Sequence, residues 1–393
     1  MAVTSRSVGT TGMIHGTKMA ADDSAVEVVV VGAGITGLSV AWHLRARGVA
    51  VAVLDRSGVG AGASGVQPGG VRQQWGTEVN CRLGRESVGF YREADERLES
   101  RVPLGFSPCG YLFFAQSEQA LEHLRANVVL QNRCGVPSRL VAPGEAARLV
   151  PGLAVDRVLG AAWCGEDGYF DRPQSVVEAF ARGTDVRIAE VRALEREAGA
   201  WRLALGDGGR LVAPHVVVAA AVETASLLRP LGVDLPIAGE ERFLFLSRPL
   251  RERLLEPLVV APERRFAAKQ LADGRVLASD LSAAGDPAER EAGWRAAIRA
   301  AIRELLPALE YVDFPLLVHG TYDTTPDRQA IIGAVDDGLW VAAGFSGHGF
   351  MIAPAVGRIL ADAIVGDGVD AALHVLAPQR FAEGRPVLES QVV

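Results

Sequence analysis

A glycine-rich turn near the start of the chain constrains the possible folds more than any other feature. The residues before it, 26–31, are β-branched except for Glu27, and such runs are typical of a strand buried on both faces of a parallel sheet. The residues after the turn have a helical pattern that ends at Gly48, and residues 49–54 read as a second strand. The segment therefore predicts a β-α-β unit and an α/β fold.

The three glycines of this turn have separate tasks. Gly32 permits a tight turn, Gly34 lets the backbone approach a pyrophosphate, and Gly37 lets the helix pack closely on the strand. The first helical turn, with Ile35 and Thr36, then directs free N–H groups toward the phosphates. The pattern predicts a dinucleotide site, whereas the alternative is a chance cluster of glycines.

Asp55 closes the second strand at the distance of about 20 residues that dinucleotide-binding units have. Its carboxylate can accept hydrogen bonds from both ribose hydroxyls, which favours an adenosine ribose without a 2′-phosphate. The pattern itself does not distinguish FAD from NAD.

Composition excludes several classes of protein. The chain of 393 residues is long enough for two joined domains with a cofactor site between them. A net charge of -7, without a Lys/Arg face, argues against nucleic-acid binding. The four cysteines have no C-x-x-C spacing, so we predict no metal site and no disulfide framework. This cysteine usage fits a reducing cytoplasm.

The sequence predicts neither a secretory signal nor a membrane span. Residues 1–25 lack the continuous apolar segment of a secretory signal and are expected to form a disordered tail. Gly, His and Arg interrupt every apolar run before it reaches about 18 residues, so no membrane span is predicted.

Two further sets of motifs follow the dinucleotide unit. The first set is Gly60-Ala61-Gly62-Ala63-Ser64-Gly65 and Gly69-Gly70-Val71-Arg72-Gln73-Gln74. The second set is Gly320-Thr321-Tyr322-Asp323-Thr324-Thr325-Pro326-Asp327, Ile331-Ile332-Gly333 and Gly344-Phe345-Ser346-Gly347-His348-Gly349-Phe350. With these motifs the chain resembles the D-amino-acid oxidase superfamily of FAD-dependent oxidoreductases over residues 26–368. The likeness is greatest to sarcosine oxidases, especially their β-subunit type, to glycine oxidase, and to FAD-dependent assembly factors with a similar G-x-R-Q-Q run.

This resemblance implies FAD as the cofactor and places the G-H-G-F run beside the isoalloxazine ring. The helix predicted for residues 351–364 agrees, because its N-terminus would stabilise negative charge on reduced flavin. The cofactor-binding candidates are Gly32, Gly34, Ile35, Thr36, Gly37, Asp55, Arg56, Ala63, Ser64, Gly70, Val71, Arg72, Val191, Gly344, Gly347, His348, Gly349, Phe350 and Met351.

The same resemblance implies a Rossmann-like FAD-binding domain that is discontinuous in sequence. We assign to it residues 26–105, 171–236 and 320–368. An antiparallel-sheet substrate domain would contain residues 106–170 and 237–319, followed by a C-terminal extension, 369–393. Within the substrate domain we predict a hairpin at 265–280 and a helix at 287–306, with one face buried: Trp294, Ile298, Ile302 and Leu305.

The implied reaction is hydride transfer from a carbon bearing nitrogen to flavin, followed by hydrolysis of the imine. Arg72 matches a flavin-site arginine of sarcosine oxidases. Lys269, on the first arm of the hairpin, is a candidate substrate cation or an aid to oxygen reduction. His348 is the third catalytic candidate, with backbone satisfaction in a tight turn as its alternative role.

Several positions depart from the sarcosine oxidase pattern. Met351 replaces a carboxylate-binding lysine and Trp75 a second arginine, so a more apolar pocket is expected. Gly320 replaces a flavin-linking cysteine, and Gln67-Pro68 lies where relatives carry a histidine, so FAD is expected to be noncovalent.

Three hypotheses remain open at this stage. The first is an amino-acid or amine oxidase that reduces O2 to H2O2. The second is a dehydrogenase that passes electrons to a partner subunit or a quinone. The third, of another class, is an FAD-binding assembly factor without amine turnover.

Overall fold

The computed structural model of the protein describes residues 26–391, and the predicted tail, 1–25, lies outside the described residues. The strands are β1 (Val28–Val31), β2 (Val51–Asp55), β3 (Gly70–Val71), β4 (Phe106–Ser107), β5 (Tyr111–Ala115), β6 (Arg139–Val141), β7 (Gly160–Cys164), β8 (Gly168–Phe170), β9 (Asp185–Ile188), β10 (Val191–Glu197), β11 (Ala200–Leu205), β12 (Arg210–Ala213), β13 (His215–Val218), β14 (Ala238–Leu246), β15 (Leu258–Ala261), β16 (Phe266–Gln270), β17 (Val276–Asp280), β18 (Leu316–Thr324), β19 (Ile331–Asp336) and β20 (Leu339–Ala343). The α-helices are α1 (Ile35–Ala46), α2 (Ala63–Val66), α3 (Glu78–Arg92), α4 (Ala94–Arg97), α5 (Glu118–Arg133), α6 (Pro143–Leu149), α7 (Pro173–Ala181), α8 (Glu223–Leu228), α9 (Pro287–Leu305), α10 (Gly349–Val365) and α11 (Ala372–Val375).

A six-stranded sheet contains the predicted β-α-β unit. Its strand order is β19-β20-β13-β1-β2-β9, and β1 pairs in parallel with both β13 and β2. All four residues of β1 are buried, as expected for a strand covered on both faces. The α/β prediction is confirmed, although β1 and β2 each begin two residues later than the sequence pattern suggested.

Helices α1 and α10 pack on one face of this sheet, and α3 packs against α10. Gly357 of α10 lies so close to α1 that an added Cβ would be 2.3 Å from the Ser39 Oγ. The Ser39 hydroxyl of α1 donates to the Ala353 carbonyl at 2.8 Å, so a side chain of one helix is bonded to the backbone of the other. The helices at the two ends of the dinucleotide fold are thus held in one rigid layer.

An eight-stranded sheet forms the other large layer. Its order is β18-β14-β17-β16-β15-β5-β7-β6, with antiparallel pairs except for β15 and β5. The hairpin of β16 and β17 pairs Lys269 with Leu277, as the predicted hairpin requires. Helix α9 covers one face and buries Trp294 and the other three residues predicted for its core side. This confirms the antiparallel sheet.

A small sheet of β3, β8 and β4 connects segments that the predicted domain division separates. β3 belongs to the predicted FAD-binding segments, whereas β4 and β8 belong to the predicted substrate segments. The domain boundaries stay a prediction. None of the helices within residues 26–391 combines the length and apolar character that a membrane span requires.

Candidate active site

One cavity of about 830 Å³ extends from the glycine turn after β1 to the eight-stranded sheet. This volume is toward the upper end of the range of about 300–1,000 Å³ found for ligand pockets. Gly32 and Asp55 line one end, the residues 347–351 line the middle, and Lys269 and Leu277 line the far end. An elongated ligand can therefore contact all of these elements at once.

The glycine turn brings bare backbone to the cavity wall. Gly32 has φ +114, and an added Cβ would lie 2.2 Å from the Ala219 carbonyl oxygen. Gly34 is the N-cap of α1 and supplies no side-chain cap. The Ile35 N–H donates to the Ser64 Oγ at 3.0 Å. Since the first N–H groups of a helix have no intrahelical acceptor, the start of α1 is suited to an anion.

Asp55 is fixed at the edge of the same cavity. One carboxylate oxygen accepts from the Ala33 N–H, and the other accepts from the N–H groups of Ser57 and Gly58, each at 2.8 Å. A carboxylate has about four acceptor positions, and these three donors leave one of them for a ribose hydroxyl. The carboxylate therefore fits the predicted adenosine site.

The start of α10 forms the middle of the cavity. Asp323 accepts from the Gly344 N–H at 2.6 Å, and its carbonyl accepts from the Ser346 N–H at 2.8 Å. Burial raises the pKa of Asp323 to about 6, although hydrogen bonds from the Gly344 and Phe345 N–H groups oppose the shift. Asp323 thus holds the turn that directs the N-terminus of α10 into the cavity.

Gly347 is required at the tip of this turn. It has φ +88, and an added Cβ would be 2.3 Å from the Tyr322 ring. Helix α10 begins at Gly349 without a side-chain cap, and the His348 carbonyl accepts from the Met351 and Ile352 N–H groups. The first N–H groups without an intrahelical acceptor are therefore those of Gly349 and Phe350. Two helix starts whose N-cap residues supply no side-chain cap, together with one fixed carboxylate, line a single cavity and fit FAD.

Arg72 and His348 lie on the wall at the middle of the cavity, and Trp75 packs against both of them. The guanidinium carbon of Arg72 lies 3.7 Å from the centre of the Trp75 ring, which lies 4.4 Å from the His348 ring. Burial lowers the pKa of His348 well below its ordinary value, and the charges of Arg72 and Arg328 lower it further. His348 is therefore neutral near pH 7, and its Nε2 has no partner within residues 26–391.

Trp75 does not contribute apolar surface to the pocket directly, because it packs behind Arg72 rather than on the cavity wall. Its indole N–H donates to the Arg72 carbonyl at 3.1 Å. Gln73 and Gln74 also avoid the wall, since their amides bond to Glu166 and Asp167.

Lys269 is the only lysine within residues 26–391. Its side chain is buried, donates to the Pro68 carbonyl at 2.5 Å, and lies 3.9 Å from the centre of the Tyr169 ring. Burial lowers its pKa to about 7, and Asp171 opposes that shift. Arginine keeps its charge at all ordinary pH values, whereas Lys269 changes its charge near neutrality. The far end of the cavity thus holds a titratable cation.

The floor around Lys269 is mainly apolar. It consists of Leu244, Leu258, Ala267, Leu277 and Leu281. Tyr111 adds a buried hydroxyl that leaves no room for a Cβ at Gly70. Arg242, paired with Glu240 at 2.6 Å, lies 5.3 Å from the Tyr322 ring at the same end.

Most of the predicted site residues are brought together on the cavity wall. The exceptions are Gly37, Val71 and Gly344, each of which supports a neighbouring element. Gly37 packs against the Gly32 carbonyl, and Gly344 bonds to Asp323. The predicted residues on the wall are Gly32, Gly34, Ile35, Thr36, Asp55, Arg56, Ala63, Ser64, Gly70, Arg72, Val191, Lys269, Gly347, His348, Gly349, Phe350 and Met351.

Sequence reasoning missed Tyr111, Arg242, Tyr322 and Asp323. The last two lie inside the motif that begins at Gly320, so their proximity to the G-H-G-F run was a usable signal. Tyr111 and Arg242 lie in strands with no motif, and only the sheet pairing brings them to the cavity. His319, in β18, also lies on the cavity wall.

The parallel sheet, the glycine turn and the shared cavity define a dinucleotide-dependent oxidoreductase. Within this class the chain belongs to the DAO family of FAD-dependent oxidoreductases, whose family model matches residues 27–363. FAD is accordingly its cofactor, and the family predicted from the motifs is confirmed.

Several known proteins are similar to this chain over most of its length. FAD-dependent oxidoreductase domain-containing protein 1 of Xenopus laevis is 26% identical, and the match covers 93% of this chain and 85% of that protein. Glycine oxidase of Bacillus licheniformis is 28% identical over 87% of this chain and 94% of its own, and sarcosine oxidase subunit beta of Rhodobacter capsulatus is 25% identical over 93% of this chain and 90% of its own. The structure of L-proline dehydrogenase from P. horikoshii matches with a TM-score of 0.84 and 26% identity, over 93% of this chain and 99% of that one.

Proposed function

We propose that the protein oxidises the C–N bond of an amino acid or of a secondary or N-methyl amine. The observation that carries this proposal is the single cavity, which joins an FAD-type nucleotide site to an apolar floor with one titratable cation. The family membership supports it, because the similar proteins include a glycine oxidase, a sarcosine oxidase subunit and an L-proline dehydrogenase.

The residues at the far end would bind and orient the substrate. The apolar floor excludes water and receives the carbon chain, so that the reacting C–H faces the start of α10. Bound FAD supplies the hydride acceptor. The N-terminus of α10 would stabilise the negative charge that the cofactor gains on reduction, and it would do so without reorganising during the reaction.

Lys269 would hold the acid end of an amino-acid substrate. Met351 leaves the α10 side of the cavity without a cation, and Lys269 provides one from the opposite wall. His348 is neutral and buried beside the same space, so it can accept or donate one hydrogen bond without adding charge. The substrate amine loses its proton before oxidation, because only a neutral amine releases hydride.

We propose that FAD is held without a covalent bond. Gly320, on the cavity wall in β18, has no side chain with which to form one, and Pro68 lies beside the Lys269 ammonium. Acid precipitation of the holoprotein should therefore release all of its flavin into the supernatant.

The first experiment is an anaerobic titration of the FAD-bound protein with N-methyl, D-, L- and cyclic amino acids and with simple amines. Bleaching of the flavin absorption band is expected with one of these classes. Matched 2-hydroxy acids, which differ only in the reacting nitrogen, are the control and should not bleach it. Bleaching by the hydroxy acids, or by no amine, would contradict the proposal.

The electron acceptor follows from reoxidation of the bleached protein. Rapid recovery in air with stoichiometric H2O2 would identify an oxidase. Slow recovery in air, with rapid recovery on addition of a quinone or dye, would identify a dehydrogenase. Tight FAD binding, no reduction by any amine and a co-purifying protein would instead support an assembly factor.

A further inference from the structure

A short segment near the end of the described chain, residues 386–391, crosses behind the cavity and contacts Arg72. We name this segment the strap. It is extended, with Leu388 exposed and Glu389 and Gln391 buried, so alternate side chains face inward. The Arg72 guanidinium donates to the carbonyl of Gln391 and to that of Gln74.

Glu389 is the anchor of the strap. It is 1% exposed, and its carboxylate accepts four hydrogen bonds. The donors are the Gly76 N–H and the Gln391 N–H, each at 2.8 Å, the Thr77 hydroxyl at 2.7 Å and the Asn80 amide at 3.0 Å. A buried carboxylate with this many donors is held firmly, so Glu389 joins the strap to the segment that follows Arg72.

A second contact fixes the strap from the opposite side. The Glu389 N–H donates to the Asp327 carbonyl at 2.9 Å, and the Val387 N–H donates to the Asp327 carboxylate at 3.1 Å. Asp327 itself is bound by the buried Arg380 at 2.9 Å. The strap is therefore clamped between Asp327 and residues 76–80.

Arg72 needs this support because it is a fully buried cation with no carboxylate in direct contact within residues 26–391. Its partners there are two backbone carbonyls and the rings of Trp75 and Phe113. Burial lowers the pKa of Arg72, and the nearby acidic groups Tyr111, Glu389 and Asp167 oppose that shift. Without the Gln391 carbonyl and the Glu389 charge, the guanidinium would gain by moving toward water.

We propose that Glu389 is a positioning residue that, through the strap, fixes the positive charge of Arg72 beside the flavin site. The inference concerns the bound FAD and not the amine substrate, so it stands or fails independently of the proposed reaction. Its consequence is that the affinity of the flavin site for added negative charge depends on a residue that does not line the cavity.

Sulfite tests this inference, because it bleaches a bound flavin more readily when positive charge is fixed close to the ring. Glu389→Ala in the FAD-bound protein should weaken sulfite binding on the order of tenfold, which corresponds to one charge-assisted hydrogen bond. If Glu389→Ala acted only by removing a negative charge, without moving Arg72, sulfite would instead bind more tightly. Glu383→Ala, which removes an exposed acid just before the strap, is the control and should change nothing.

The decisive test is whether the effect of Glu389→Ala on sulfite binding depends on the presence of Arg72. In an Arg72→Leu background, Glu389→Ala should cause no further loss of sulfite affinity, since the charge to be positioned is already gone. An equal loss in both backgrounds, or unchanged or tighter binding in Glu389→Ala alone, would overturn the proposal. If Glu389→Ala does not fold, Asn80→Ala removes one donor to the same carboxylate and should produce a smaller loss with the same dependence on Arg72.

Discussion

Lys269 is the residue whose charge state is expected to govern substrate binding. Its pKa of about 7 means that it is a cation below that pH and neutral above it. The dissociation constant of a carboxylate inhibitor should therefore rise by up to about tenfold per pH unit above 7. Lys269→Met should bind the inhibitor weakly at all pH values, as measured by perturbation of the flavin spectrum.

The titration itself can be observed directly, because the chain contains only two lysines, Lys18 and Lys269. Protein with isotope-labelled lysine gives two sets of side-chain signals, and Lys269→Met identifies which set belongs to the cavity. An inhibitor affinity that is flat from pH 6 to 9, or a Lys269 signal that titrates near its ordinary value, would remove this residue from the substrate site.

Gly347 combines a left-handed backbone with a crowded position. Gly347→Ala should lower the free energy of unfolding by about 1–3 kcal/mol, because alanine is strained in this backbone conformation. The added methyl group should also displace the Tyr322 ring. Gly366→Ala is the matched control, because Gly366 has φ +83 at the other end of α10 with nothing within 4 Å. We expect both variants to unfold at lower denaturant concentration, but only Gly347→Ala to bind FAD more weakly. Equal FAD affinities would show that the turn tolerates a side chain.

At the scale of the element, α9 stabilises the eight-stranded sheet through one large side chain. Trp294 is buried and stacks on Phe243 of β14 with 4.3 Å between ring centres. Trp294→Ala should lower the free energy of unfolding by about 3–5 kcal/mol. Arg303→Ala, on the exposed face of α9, should change it by less than about 0.5 kcal/mol. Denaturant unfolding of both variants provides the comparison, and similar losses would contradict the assignment of the core face.

The elements that the sequence predicted share a local signal. α9 and α10 have apolar residues at helical spacing, and the hairpin has an Asp273-Gly274 turn. In each case the residues that determine the element are its own neighbours in sequence. Helix α10 begins two residues earlier than predicted, at Gly349, because the first helical turn includes part of the glycine-rich run. Strands β1 and β2 begin two residues later than predicted, and their ends depend on contacts with the adjacent strands.

The features that could not be predicted depend on contacts between segments far apart in sequence. The strap has no periodic pattern, and Glu389 looks like an ordinary surface acid until Gly76 and Asn80 are placed around it. Arg72 lies on the cavity wall, yet nothing near it in sequence indicates that Gln391 accepts its hydrogen bond. The motifs supplied the candidate residues, whereas the supporting contacts required the fold.

At the scale of the whole molecule, one buried ion pair joins the motif after β18 to the last segments of the chain. Arg380 and Asp327 have side chains no more than 1% exposed, and two hydrogen bonds of 2.9 and 3.0 Å connect them. Burial alone would raise the pKa of Asp327, but the hydrogen bonds from Arg380 outweigh it and lower the pKa. The pair therefore stabilises the fold above the unfolded pKa near 3.8, and this is lost as the pH falls through the lower folded value.

Asp327→Asn should accordingly lower the free energy of unfolding at pH 7 by about 3–5 kcal/mol, because it leaves the Arg380 charge buried without its partner. The difference from the parent protein should shrink below pH 3.8, where the parent also begins to lose the pair. Asp313→Asn removes an exposed partner of Arg299 and should shift unfolding by no more than about 0.5 kcal/mol. A constant difference from pH 7 to pH 3 would contradict the assignment of the titrating group.

The position of α10 in the chain also has a consequence for biosynthesis. Its N-terminus at Gly349 completes a site whose first turn, at Gly32, is translated near the beginning. At about 5–20 residues per second, the ribosome needs roughly 15–65 s to pass from one to the other. During that interval the nascent chain has exposed the apolar surfaces of α1 and β1 without the helix that covers them. We therefore expect FAD to bind only after α10 has been made, so that ribosome-stalled chains that end before α10 should retain no FAD after washing.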